Sequence, residues 1–190
     1  MVDPELQELF GRSVGSFGDR VHAIRDDQWT AATPCSEWDV RALVGHLVTE
    51  VAWVGPLVGG KSVADVGDGL SGDLTGNDPK ASWDRYSAEA AAAVAEDGAM
   101  ERTVRLTSRE LSAAEYTSEV FIDLLIHGWD LARAIGAPEV LDSESVDVVY
   151  EKVKPNEQAL KASGVFGPEV TPPPDADAQT RLLAIFGRVA

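Results

Sequence analysis

Of the three histidines in this chain, two stand where they can do chemistry. Asp123 and His127 lie one helical turn apart in DLLIHGWDLARAIG, residues 123–136, among leucines and isoleucines. At about 100° per residue both fall on the side of a helix that carries Val120, Leu124, Leu131 and Ala134, so both point into a helix-packed interior. A carboxylate left unpaired there would be costly or would take up a proton, so it requires a hydrogen-bond partner, a cation or a wet cleft. His46 sits at the edge of another apolar stripe beside Leu43, with Glu50 one turn further on. Two imidazoles and one carboxylate from facing helices make a three-point metal site with positions left open for water or substrate. Spacing alone leaves the plainer arrangement open: His127 hydrogen-bonded to Asp123, and His46 a half-exposed edge residue. On spacing alone that arrangement is the commoner one, because pairs four residues apart arise often by chance.

The neighbours add less. Asp130 follows His127 by three residues on nearly the same face, where it would either orient the imidazole or pair with Arg133 or Arg41. Cys35 stands ahead of a helix start, whose amide dipoles would favour a thiolate. Counted along a continuous helix it is roughly 16 Å from His46, which makes it a packing residue and not a ligand. Trp38, Trp53 and Trp129 read as core residues or cleft walls, and His22 as an ordinary surface histidine.

Residues 55–62, GPLVGGKS, match the phosphate-loop pattern letter for letter. That loop works only between a buried strand and a helix N-terminus. Here the preceding HLVTEVAWV continues a helical pattern, and Gly67, Gly69 and Gly72 prevent a long helix from starting at Lys61. Nucleotide hydrolysis is therefore not expected.

The elements that must position these residues are helical. Asp3-Pro4 predicts a cap and first residue for a helix bearing Leu6, Phe10, Val14, Phe17, Val21 and Ile24. Ser36, with Asp39 three residues on, predicts a second helix carrying Val40 to Val51 and ended by Gly55-Pro56. Residues 59–78 read as a long loop or lid, and Asp78-Pro79 as the start of a third helix reaching about Gly98. TVRLT, within 99–111, suggests one short extended piece. A fourth helix begins after Ser112 and ends at Gly136, a fifth spans 143–162 with a break at Pro155, and a short one holds Leu182 to Phe186. Four long amphipathic helices without a set of strands predict an all-α bundle, a single domain over residues 1–190.

Net charge is −16, from 32 acidic and 16 basic residues with the bases dispersed. Phosphate backbones would be repelled, so nucleic acid is not an expected partner. No apolar run approaches membrane-spanning length, the N-terminus lacks a secretory pattern, and one cysteine cannot form an internal disulfide; the expected location is cytoplasmic.

The segments TPCSEWDVRALVGHL, DLLIHGWDLARAIG and RLLAIFGR, in that order, resemble the DinB-like metal-binding helical proteins. They are most similar to the group related to the N-terminal domain of mycothiol-dependent maleylpyruvate isomerase. The resemblance implies an antiparallel four-helix bundle, here with extra C-terminal helices, and a divalent metal held by His46, Asp123 and His127. Zinc is the first expectation for that metal, with nickel and iron as alternatives. The family's acid is commonly glutamate; Asp123 is one methylene shorter and reaches less far. The isomerase carries a further substrate-binding domain with no counterpart in these residues, so the expectation is a thiol-dependent transferase or an isomerase-like detoxification enzyme acting on an unknown electrophile. Its implied partners are a small thiol, mycothiol by resemblance, and an electrophile, in a monomer or homodimer. A non-haem iron enzyme and a non-enzymatic metal- or ligand-binding module are the alternatives.

Overall fold

A computed structural model describes residues 4–162 and 168–190. Four long helices form the bundle: α1 (Pro4–Ala23), α2 (Val40–Val58), α4 (Pro79–Ala95) and α5 (Ala113–Ile135). The predicted cap of the first helix, Asp3, lies outside the described residues. Val14, Phe17 and Val21 of α1, Leu43, Leu47 and Val51 of α2, Trp83 and Ala90 of α4, and Leu124 and Leu131 of α5 meet in one core.

The order of the helices follows from where their ends meet. Gln7 in the first turns of α1 donates to the carbonyl of Val94 at the end of α4, and Lys80 at the start of α4 reaches the carbonyl of Ile24 just past α1 (2.8 Å). These two helices are antiparallel. Arg41 at the start of α2 donates to the Gly76 carbonyl just ahead of α4 (2.7 Å), so α2 and α4 run the same way. Arg102, ahead of α5, donates to the Val58 carbonyl at the end of α2 (3.2 Å), which makes α2 antiparallel to α5. Gln28, beyond α1, donates to the Ile135 carbonyl at the end of α5 (2.8 Å), which makes α1 parallel to α5. The bundle is thus two antiparallel pairs laid side by side. Because α2 and α4 are parallel neighbours, the chain must return the length of the bundle between them. Residues 59–78, expected as a loop or lid, are that crossover, and they include the short helix α3 (Val63–Val66).

Two boundaries differ from expectation. The second helix starts at Val40, with Asp39 as its N-cap accepting from the Ala42 amide (2.8 Å). Ser36 is left outside because Thr33 accepts from the Cys35 amide (3.1 Å) and donates to the Trp38 carbonyl (2.7 Å), folding 33–38 into a tight loop. The same helix runs through Pro56 to Val58; the proline withholds one amide from the helical ladder, and Gly59 donates to the Gly55 carbonyl (3.0 Å). GPLVGGKS therefore straddles a helix end, and the helix that follows it is only Val63–Val66.

The extended piece is half of a hairpin, β1 (Thr103–Arg105) against β2 (Glu110–Ser112), with Val104 opposite Leu111. Ser112 then caps α5 reciprocally with Glu115, and Gly136 ends it at a positive φ that admits both terminal carbonyl bonds. Beyond it lie α6 (Ser143–Val153), α7 (Glu157–Ala162), which follows the interruption at Pro155, and α8 (Ala178–Ile185), which packs on α6. Among the described residues no helix is long and apolar enough to cross a membrane.

Gly18 tests the packing of α1 on α4. A methyl group there would stand 2.8 Å from Nε1 of Trp83. That indole is buried and packs against the Phe17 ring at 4.6 Å between centroids, so it has nowhere to move. Gly18→Ala should therefore lower stability by about 1–3 kcal/mol in urea titration despite the gain in helix propensity.

Candidate metal centre

The antiparallel contact of α2 with α5 brings His46, Asp123 and His127 together. His46 Nε2 is 3.0 Å from Asp123 Oδ2, and one donor atom from each of the three residues lies within 4.8 Å of the others. Ligands sharing a tetrahedral ion at bond lengths of about 2.0–2.2 Å sit about 3.4 Å apart, so small side-chain movements bring this set to that geometry. The His46 and Asp123 side chains are partly open to solvent while His127 is buried, so the cluster has a closed side and an accessible side. Trp38 covers both imidazoles, its ring centroid 4.7 Å from that of His46 and 5.5 Å from that of His127.

Charge around the cluster is shared. Burial opposes a charged His46, but the hydrogen bond and charge of Asp123, with Glu50 behind it, outweigh that and raise its pKa above the ordinary histidine value. Glu50, half-buried one turn beyond, has its carboxyl pushed up by burial and by the negative charges of Asp123 and Glu119.

Behind His127, Asp130 takes the first of its two expected arrangements, against the imidazole, with a partner that was not foreseen. Asp130 pairs with neither Arg133 nor Arg41: Arg133 lies over the Trp129 ring and pairs with Glu139, and Arg41 holds Thr75 and Gly76. Asp130 accepts instead from Arg188, at 3.1 Å from Nε and 2.8 Å from Nη2, and contacts His127 Nδ1 at 2.9 Å. Asp130 is fully buried, and burial works against its charge. The bonds from His127 and Arg188 more than compensate and hold its pKa below the usual aspartate value.

Cys35 also lies here, with Sγ 3.3 Å from Asp130 Oδ2, 3.8 Å from His127 Nδ1 and 3.0 Å from Arg188 Nη2. Its expected separation from His46 assumed a continuous helix from residue 36. The loop at 33–38 removes that assumption and turns the thiol inward. Its pKa is pushed up to about 12, chiefly by burial and by Asp130, opposite to the shift expected from helix dipoles. An Asp39 cap would have been legible from its position before the apolar series. For Arg188 the only available signal was that a buried acid needs a base.

A helical bundle carrying two histidines and an acid between facing helices is the DinB-like class of protein. Within it, this chain belongs to the mycothiol maleylpyruvate isomerase N-terminal domain family, which it matches over residues 10–132. It is also similar to uncharacterized proteins from two strains of Mycobacterium tuberculosis, each 32% identical over 140 residues, covering 70% of this chain and 69% of the relative. No solved structure matches it.

Two outcomes follow from this geometry. Asp130→Asn removes the buried carboxylate that both Nε and Nη2 of Arg188 hold and should cost about 3–5 kcal/mol. Because the folded pKa of Asp130 is depressed, its contribution is present above an unfolded aspartate's pKa of about 3.9 and is lost as pH falls through the folded value. The acid limb of the stability profile should therefore be shallower in the variant. At pH 8 iodoacetamide should modify Cys35 at least about 100-fold more slowly in the native protein than in the unfolded chain, as the scarcity of thiolate requires.

Proposed function

We propose that His46, Asp123 and His127 hold a divalent metal, zinc first, and that the protein is a thiol S-transferase joining a low-molecular-weight thiol to an electrophile. The observation that carries this reading is the convergence of the three donors with Nδ1 of the third already committed to Asp130. A histidine whose one nitrogen is fixed by a carboxylate offers the other to a metal in a set orientation, the usual support of a catalytic zinc ligand. Two imidazoles and one carboxylate also leave a coordination position free. Mycothiol is the thiol suggested by the family, which is named for the isomerase; the transfer reading extends that to this chain.

When bound, such an ion supplies Lewis acidity, lowering the pKa of a thiol or water in its open position. The remaining work falls to the chain. Asp130 orients His127 Nε2 toward the cleft. Trp38 keeps water from the faces of both imidazoles, and the exposed edge formed by His46 and Asp123 is the path by which thiol and electrophile enter. Asp123 must extend further than a glutamate would; its present bond to His46 already brings it next to one of the other ligands.

The test is elemental analysis of protein purified without a histidine tag, together with mycothiol-dependent turnover of model electrophiles. One zinc per chain is expected. His46→Ala, Asp123→Ala and His127→Ala should each weaken metal binding on the order of 100-fold or more and abolish turnover, with helix content retained. Full metal stoichiometry in all three variants would show the ligand assignment to be wrong. Iron in place of zinc with oxygen-dependent turnover would favour the non-haem iron alternative, which uses the same donors.

A further inference from the structure

A second set of donors shares His127. Cys35 Sγ, a ring nitrogen of His127 and a carboxylate oxygen of Asp130 lie within 4.8 Å of one another. Thiol, imidazole and carboxylate make a softer set than the two imidazoles and one carboxylate beside it, and soft sets with sulfur hold zinc well. Taken as a list of donors, this cluster competes for the same ion.

A cation is already there. Arg188 Nη2 is 2.8 Å from Asp130 Oδ2 and 3.0 Å from Cys35 Sγ, so one nitrogen contacts two of the three donors. Its Nε holds the other oxygen of Asp130 at 3.1 Å, and Nη1 donates to the Phe186 carbonyl at 2.7 Å, which fixes the direction of the guanidinium. The group is only 8% exposed, so it does not exchange freely with water. A planar fork of this kind satisfies a carboxylate on both oxygens and cannot lose its proton, so its charge is permanent. Arg188 ends RLLAIFGR, one of the segments that carry the family resemblance, beyond the matched residues 10–132.

We infer that Arg188 is the built-in cation of the Cys35–His127–Asp130 cluster, a positioning and specificity residue that confines exchangeable metal to the His46–Asp123–His127 side. The inference rests on the metal-centre reading above. The single imidazole of His127 couples the two sides. While Asp130 is held by Arg188 it contacts Nδ1, and the other nitrogen serves the open cleft. Without Arg188 the carboxylate and the thiol lose their shared cation, and a metal entering on their side draws on Nδ1.

Cobalt(II) substitution separates these states, because a cysteine ligand adds an intense sulfur-to-cobalt charge-transfer band in the near ultraviolet. Wild-type protein should bind one cobalt per chain without that band. Arg188→Met should show the band, and the double variant Arg188→Met with Cys35→Ser should lose it. Arg188→Gln, which keeps hydrogen-bond donors but not charge, should show the band as well and serves if the methionine variant does not fold; Arg188→Lys, which keeps the charge, should not. Helix content by circular dichroism is checked for each. A wild-type protein that takes up no cobalt contradicts the metal centre itself. A sulfur band in wild type, or folded Met and Gln variants that bind cobalt with no Cys35-dependent band, contradicts the role of Arg188.

Discussion

A carboxylate with no exposure to water must be matched by charge and hydrogen bonds, and in this protein that requirement falls on Asp130. It is met by Arg188, 58 residues further along the chain, and by His127 on the same helix. The consequences run in both directions. The segment after α8 is drawn against α5, and the His127 ring is turned so that one nitrogen is occupied at the back of the site. The helical face that looked like a core stripe with two polar interruptions is the wall between a buried ionic cluster and an accessible cleft.

The bundle topology supplies the other half. His46 meets Asp123 where α2 runs antiparallel to α5, and α2 can lie beside a parallel α4 because residues 59–78 return along the bundle. Arg41, Arg102 and Gln28 each bond a main-chain carbonyl on a neighbouring segment, and together those bonds fix the alignment at both ends of the bundle. Side chains on rigid helices can then be held close to a productive geometry, which loops rarely achieve.

Much of this was legible from residues. The periodic apolar positions of the long helices, the Asp78-Pro79 and Ser112 starts and the Gly136 stop act through local chemistry, and the chain forms those elements where the pattern predicts. His46, Asp123 and His127 were identifiable because polar groups on apolar faces need a reason. The start of α2 was misread because Ser36 and Asp39 both satisfy capping chemistry, and only the Thr33 bonds that fold 33–38 decide between them. That single displacement hid Cys35. Arg188 was hidden for a different reason: its pairing with Asp130 is set by tertiary packing of α8 on α6, and no local spacing encodes a contact over that distance.

The account stands on a metal held by nitrogen and oxygen from α2 and α5, with sulfur kept out by the arginine behind His127. Zinc-edge X-ray absorption fine structure of the zinc-loaded wild-type protein, recorded without added thiol, tests this most directly. The account predicts only nitrogen and oxygen neighbours at about 2.0–2.1 Å, with the multiple-scattering signature of two imidazoles. A sulfur neighbour at about 2.3 Å would place the ion on the Cys35 side and contradict it.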